Sequence, residues 1–285
     1  HRMSVDENAA VVDAVWIRKW KRMPNGTLVV KSRLCARGFM DRQKDYIPTR
    51  STTATRLSQR ILVSTSVVHL MELESWDVSG AFLKGFSFER IKAMMDAKGI
   101  KMPKRKVHVV PPSNVWRHLK ALDPDNFNVS MNTLNDYVLE CLKSMYGFVD
   151  APLAWQMCLH WFLQEVLQGT PSHFDENFWL WKEAGSLVAV MTTHVDDCGI
   201  AAHLPWLNQK HAAFEKEFGK VTRQQLPFAH CGTRYSATPT SRAVDQFDFC
   251  NKLKEIEVPE NEKDETLVTP VFTTAFRSAL GGLLW

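Results

Sequence analysis

The sequence predicts an α+β fold, and two observations carry that reading. Short apolar, β-prone runs at residues 187–191 and 200–202 flank the polar tetrad His194-Val195-Asp196-Asp197. That is the pattern of an antiparallel hairpin buried on at least one side. Other stretches repeat their apolar residues at helical spacing. Residues 56–73 place Leu57, Ile61, Leu62, Ser64, Val68 and Met71 close to a 3.6-residue period, and residues 206–218 form a second amphipathic stretch.

Taken in order, residues 11–17 are apolar, Pro24-Asn25-Gly26 is a strong turn signal, and Leu28-Val29-Val30 resumes an apolar run. A hairpin with basic residues on its strands and rim follows. Lys31-Ser32-Arg33 sets two cations on one face, because strand side chains alternate. The helix of residues 56–73 feeds into Ser75-Trp76-Asp77-Val78-Ser79-Gly80-Ala81-Phe82-Leu83-Lys84-Gly85. There a carboxylate ends a short apolar approach, and Ser79, Gly80 and Ala81 are small enough to let a ligand near the backbone. A second basic knot at 101–106 precedes a strand at 107–110, which Pro111-Pro112 ends. Residues 113–135 are polar and Asn-rich, without a pattern. A strand is expected at 137–142, a turn at 146–148, and a helix from Pro152, which suits a first helical turn, to about Gln168. Residues 178–191 predict two strands around Glu183-Ala184-Gly185, leading into the aspartate hairpin. Beyond the helix at 206–218 come a hairpin at 226–235, a helix at 246–256 and an acidic loop at 257–265.

A chain of 285 residues, 45% hydrophobic and 23% charged, suits one large domain or a few subdomains around linked cores. The net charge of +4 is unevenly spread. Residues 18–60 hold twelve Lys/Arg against Asp41 and Asp45, so this segment carries +10 and the remainder −6. A basic head on an acidic body fits a polyanionic partner; it would also fit a solvated basic face. The six cysteines show no CxxC pair, and His194 with Cys198 has no second pair to complete a zinc site. They read as reduced thiols of a cytoplasmic protein. No apolar run approaches the roughly 20 residues of a membrane span, so no membrane partner is expected. The opening His1 and the apolar run at 278–285 suggest a piece of a longer polypeptide.

Asp196 and Asp197 are costly beside apolar strands, because partial desolvation and mutual repulsion both oppose their charge. A divalent cation relieves that cost, since hard carboxylate oxygens bind Mg²⁺. A solvated turn would accept the same pair. Asp77 and Asp196 stand 119 residues apart. If neighbouring strands carry them, they converge on a cluster fit for two Mg²⁺ ions, an arrangement that serves in-line phosphoryl transfer.

Five blocks in order resemble the reverse transcriptase region of copia-type long-terminal-repeat retrotransposons. They are Lys31-Ser32-Arg33-Leu34-Cys35-Ala36-Arg37-Gly38-Phe39, the stretch from Trp76 to Gly85, Tyr146-Gly147-Phe148-Val149-Asp150-Ala151-Pro152-Leu153-Ala154-Trp155, the His-Val-Asp-Asp tetrad, and the stretch from Phe276 to Leu284. The family counterparts of the first and third blocks read K-A-R-L-V-A-K-G-F and Y-G-L-K-Q-A-P-R-A-W. The resemblance implies a right-hand polymerase fold: fingers at 1–74 and 111–150, and a palm with an antiparallel sheet at 75–110 and 151–204. Residues 205–285 would hold the primer-grip hairpin, thumb and start of a connection segment.

By the same resemblance Asp77, Asp196 and, more loosely, Asp197 are catalytic and hold two Mg²⁺ (or Mn²⁺) ions with Val78. Lys31, Arg33, Ala81, Phe82 and Tyr146 would bind the incoming dNTP. Gly147, Pro152, His194, Val195, Phe228, His230, Cys231 and Gly232 would touch primer or template. Partners would be an RNA or DNA template with primer, dNTPs, and the RNase H and integrase of a Pol polyprotein, inside a cytoplasmic virus-like particle. The implied activity is RNA-directed DNA polymerase. A catalytically inactive nucleic-acid-binding remnant and a metal-dependent phosphoesterase are the other readings. Three departures stand out. His194 occupies the place of the family's tyrosine. Val149, Asp150 and Leu153 replace cationic or neutral polar residues near the nucleic-acid track. The segment between Phe86 and Val107 is longer than the family's and contains the second basic knot.

Overall fold

The structure, a computed structural model, describes residues 1–7, 9–23, 26–238, 241–253, 256 and 269–284. In chain order its elements are β1 (Ala10–Arg22), β2 (Leu28–Ala36), α1 (Arg56–Val68), β3 (Glu72–Val78), α2 (Phe88–Ala97), β4 (Val107–Val110) and α3 (Ser113–Leu122). There follow β5 (Leu139–Cys141), α4 (Ala151–Trp161), β6 (Thr170–Pro171), β7 (Phe178–Glu183), β8 (Ser186–His194), β9 (Asp197–Ala202) and α5 (Leu204–Phe218). The last elements are β10 (Val221–Gln225), β11 (Phe228–His230), β12 (Thr233–Ala237), β13 (Arg242–Asp245), α6 (Phe247–Cys250) and α7 (Pro270–Leu284). The fold is α+β, in two compact units, His1–Arg223 and Gln224–Trp285.

The first unit holds two sheets. One has the order β2-β1-β4-β5, with β1 antiparallel to β2 and parallel to β4. The β1–β2 turn is closed by the Met23 amide, which donates to the Thr27 carbonyl (2.8 Å). Gly26 supplies the positive φ (83°) there; Pro24 and Asn25 of the expected turn lie outside the described residues. The other sheet has the order β10-β3-β9-β8-β7-β6, with antiparallel pairing from β3 through β6.

Strand alternation sends Trp76, Val78, Met191, Cys198 and Ile200 into a core with Trp155 and Leu159 of α4 and Phe214 and Phe218 of α5. Phe162 meets Phe214 and Phe218 edge-on at 5.0 and 4.8 Å between ring centroids. Each fully buried aromatic or aliphatic side chain stabilises the unit by about 1.5–3 kcal/mol. At the sheet edge, the Arg223 guanidinium pairs with the buried Glu74 carboxylate, which also accepts from Trp76 Nε1 (2.9 Å). This ion pair fastens β10 to β3.

The helix expected over 56–73 stops at Val68. Leu70 takes a left-handed φ of 52°, and from Glu72 the backbone hydrogen-bonds to β9 instead. Met71, which matches the helical period, and Leu73 are buried as part of the strand and its approach. The buried face of α1 is also not the apolar one: Ser58, Gln59, Leu62 and Ser66 are buried, while Leu57, Val67 and Val68 are exposed. Asp175 draws that face inward, accepting from the Thr55 amide (2.8 Å) and the Ser58 hydroxyl. The 113–135 stretch contains α3, which buries only Val115 and Trp116 and so leaves little periodic signal.

The expected helix from Pro152 is α4, continued by a wide turn over Phe162–Val166; Gln168, at φ 59°, ends it. Ala184 and Gly185 make the expected β7–β8 turn at φ 47° and 83°. In the second unit β11, β12 and β13 form an antiparallel sheet, of which β13 had no sequence signal. The 246–256 helix shrinks to α6, and the acidic loop at 257–265 lies outside the described residues. All six cysteines are free. No helix among the described residues is long and apolar enough to cross a membrane.

One backbone crossing admits only glycine. The Ala36 amide donates to the Tyr146 carbonyl (2.7 Å), and a Cβ on Gly38 would fall on the Gly147 carbonyl. A Cβ on Gly147 would fall in turn on the Ala36 carbonyl. Gly38→Ala is therefore expected to destabilise the first unit by about 3 kcal/mol in denaturant titrations. Gly281→Ala, in open space on α7, is expected to be neutral or stabilising by up to about 1 kcal/mol.

Candidate active site

The site begins with the register of β8 and β9. His194 faces Asp197, so Val195 and Asp196 alone form the connecting loop. Val195 sits at φ 58°, a region that costs a β-branched residue about 1–2 kcal/mol. Two hydrogen bonds hold it there. Trp155 Nε1 donates to the Val195 carbonyl (2.6 Å), and the Val78 amide donates to the Asp196 carbonyl (3.0 Å). The loop is thus pinned from α4 and from the end of β3.

The β3–β9 register then sets Asp77 directly opposite Asp197. Side chains directly opposite in an antiparallel pair share a face, and like charges there repel. Burial pushes the Asp197 carboxyl up to about 6, with Asp196 and Asp77 adding to the rise. Asp77 is raised chiefly by burial and then by Asp196, while Lys31 and Lys21 oppose the rise.

In front of these acids lies a cavity of about 540 Å³ lined by Asp77, Asp196, Lys21, Lys31, Arg33, Lys220, Tyr146, Ser79, Gly80 and Thr222, among others. Asp197 is not among the lining residues. Four cations and two carboxylates thus line one cavity, so its wall carries both signs of charge. The β1–β2 register explains the cationic wall. Lys31 faces Lys19 and Arg33 faces Ile17, so alternation puts Lys21, Lys31 and Arg33 on one face of the ribbon. Lys21 escaped the motif reading, although counting outward from the Pro24-Asn25-Gly26 turn would have found it. Lys220 and Thr222 had no local signal, because they reach the cavity only through the pairing of β10 with β3.

The remaining expected residues fall around this cavity or in the second unit. Tyr146 lines the cavity, 5.4 Å from the Arg33 guanidinium and 5.9 Å from the Phe82 ring, which lies behind it. Ala81 and Val78 are buried. Gly147 is packed under β2, and Pro152 is in the first turn of α4. His194 is half-buried, and burial lowers its pKa, so the ring is neutral near pH 7. Phe228, His230, Cys231 and Gly232 belong to the second unit. There Phe228 stacks on Tyr235 at 5.1 Å, and Cys231 and Gly232 form the β11–β12 turn at φ 48° and 71°. Asp150 and Leu153 are both buried. The Asp150 carboxylate accepts from Arg105 Nε (3.0 Å) and from the Ser144 hydroxyl (2.7 Å), so its charge is held inside the unit.

Two curated proteins align with the chain. It is 25% identical over 202 residues to the Retrovirus-related Pol polyprotein from transposon RE1 of Arabidopsis thaliana, an alignment covering 70% of this chain and 12% of that protein. It is 26% identical over 192 residues to the Retrovirus-related Pol polyprotein from transposon RE2 of the same plant, covering 67% and 11%. The chain is related to transposon Pol polyproteins. It spans only about a ninth of their length. No family model matches the chain.

In this Pol-related chain the three carboxylates suit divalent ions: their oxygens are hard, they crowd one another, and two of them are already held above the usual carboxylate range. An acid raised in the folded state costs stability once pH passes its unfolded value of 3.8, and the full cost is reached above about 6. Asp197→Asn is therefore expected to raise the melting midpoint of the metal-free chain at pH 7.5 by roughly 2–4 °C, and to lose that advantage near pH 4. Added Mg²⁺ or Mn²⁺ is expected to stabilise the wild type more than the variant.

Proposed function

We propose that the chain is the RNA-directed DNA polymerase segment of a copia-type retrotransposon, a reverse transcriptase with a right-hand fold. The observation that carries this reading is the single cavity in which Asp77 and Asp196 meet Lys21, Lys31, Arg33 and Lys220. The Pol relation supports it. Residues 1–74 and 111–150 are the fingers in this reading, 75–110 and 151–204 the palm, and 205–285 the primer grip, thumb and start of a connection segment.

The substrates are a dNTP and a primer paired to an RNA or DNA template. The primer 3′-oxygen attacks the α-phosphorus, the bond to the β-phosphate oxygen breaks, and pyrophosphate leaves. Asp77, Asp196 and the backbone at Val78, with Asp197 beside them, would hold two Mg²⁺ or Mn²⁺ ions, which supply Lewis acidity to the attacking and leaving oxygens. Lys31 and Arg33 grip the triphosphate by charge-assisted hydrogen bonds, with Lys21 and Lys220 completing the positive wall. Ala81 and Tyr146 border the nucleotide, and Phe82 behind Tyr146 limits the room at the sugar 2′ position. Gly147 and Pro152 lie along the template side. His194 and Val195 meet the primer terminus, where a neutral imidazole either donates or accepts a hydrogen bond. Phe228, His230, Cys231 and Gly232 hold the primer strand. RNase H and integrase act from elsewhere in the polyprotein, within a cytoplasmic virus-like particle.

Primer extension on an RNA template with Mg²⁺ or Mn²⁺ tests the reading. Wild type is expected to incorporate dNTPs, and Asp196→Asn to lose about a hundredfold or more in rate. Equal incorporation by both would end the proposal. Salt-dependent duplex binding with no synthesis under either metal would point instead to an inactive remnant.

A further inference from the structure

The first unit also holds a buried cluster of charge whose members do not themselves line the cavity. The Arg105 side chain is 1% exposed and pairs with Asp41, also 1% exposed, at 2.6 Å and with Asp150 at 3.0 Å. Its guanidinium lies 5.3 and 5.4 Å from the rings of Phe88 and Phe148. Gln43 closes the cluster: its Oε1 accepts from Arg105 Nη1 (3.3 Å) and from the Lys106 amide (3.2 Å). Ser144 donates to the other oxygen of Asp150. Arg105 Nε and Nη1, both Asp150 oxygens and Asp41 Oδ1 are hydrogen-bonded, while Arg105 Nη2 and Asp41 Oδ2 meet as an ion pair outside hydrogen-bond geometry.

The cluster joins three stretches that are distant in sequence: residues 38–43 after β2, 105–106 before β4, and 144–150 before α4. The first and third of these continue into the cavity wall. β2 carries Lys31 and Arg33, and the 144–150 loop carries Tyr146. Where they cross, the Ala36 amide bonds to the Tyr146 carbonyl, and Gly38 and Gly147 lie backbone to backbone.

From this geometry we infer that Arg105 is a positioning residue, which through Asp41 and Asp150 fixes the spacing between the phosphate-gripping strand and Tyr146. It acts on the site without touching it. The inference rests on the polymerase reading for the identity of the nucleotide, and on the structure alone for the mechanical coupling. It also gives a use to two features that look unrelated in the sequence. The basic knot at 101–106 sends one of its four cations inward, and the acid at 150 is the anion that receives it.

The test measures steady-state incorporation and hydrogen exchange on Arg105→Met and the milder Asp150→Asn, with Arg105→Lys as the conservative variant and Lys182→Ala as an exposed control. Variants that keep a cooperative melt are expected to raise the KM for dNTP on the order of tenfold to a hundredfold, with kcat per folded molecule changing far less. Exchange should quicken in 144–150 and at the end of β2 but not in β3 or β9. Arg105→Lys should recover part of the KM, and Arg33→Ala should cost less in the Arg105→Met background than in wild type. Folded variants with unchanged KM, or with kcat lost at constant KM, would overturn the inference. A wild type that shows no dNTP saturation would overturn the polymerase reading and with it the nucleotide role. In that case the exchange measurement alone judges the coupling: unchanged exchange in 144–150 refutes it, and faster exchange upholds it.

Discussion

Two carboxylates set directly opposite each other across paired strands are the constraint on which the rest of this molecule depends. Asp77 and Asp197 take those places because β3 and β9 pair in one register, and a slip of one residue would send Asp77 to the helix-covered face. The register holds because the other face of both strands is filled. Trp76, Val78, Cys198 and Ile200 are fully buried against α4 and α5, and a one-residue slip would turn a strand's share of them out of that core. Repulsion between the acids costs a fraction of what that core supplies. The fold therefore tolerates an anionic cluster that would be disfavoured by itself, and stability yields locally to chemistry.

The same logic extends to Asp196. It can face the cavity because Val195 accepts a left-handed backbone, and Trp155 holds that backbone in place. Strain in a two-residue loop persists only when its surroundings over-determine it. Here the determinants are an indole from α4 and the last amide of β3, both parts of the packed core. Three of the four cations, Lys21, Lys31 and Arg33, are carried separately on the β1–β2 ribbon, whereas Lys220 precedes β10 of the sheet that carries the acids. The end of β2 is tied to the Tyr146 loop where Ala36 bonds to the Tyr146 carbonyl and Gly38 and Gly147 lie backbone to backbone.

Much of this was legible in the sequence. The apolar runs around Asp196 and Asp197, the approach to Asp77, and the turns at Gly26 and Gly185 each have a local signature, and each forms as expected. What was not legible depends on partners far along the chain. The buried face of α1 is polar because Asp175, more than a hundred residues away, binds Thr55 and Ser58. Lys220 reaches the cavity only once β10 joins β3. Asp150 reads as a charge lost from a nucleic-acid track, and Arg105 as one cation of a surface knot, until the two are seen to neutralise each other 45 residues apart. Periodicity reports which face is apolar; it is silent about a polar residue whose partner lies elsewhere.

The central claim is that residues 77, 196 and 197 form one cation-binding centre. Anomalous scattering from crystals soaked in Mn²⁺ tests it most directly. The account predicts a peak within coordination distance of the Asp77 and Asp196 carboxylates, absent when Asp196 is replaced by Asn. Manganese that binds the chain elsewhere while leaving this cluster empty would contradict it.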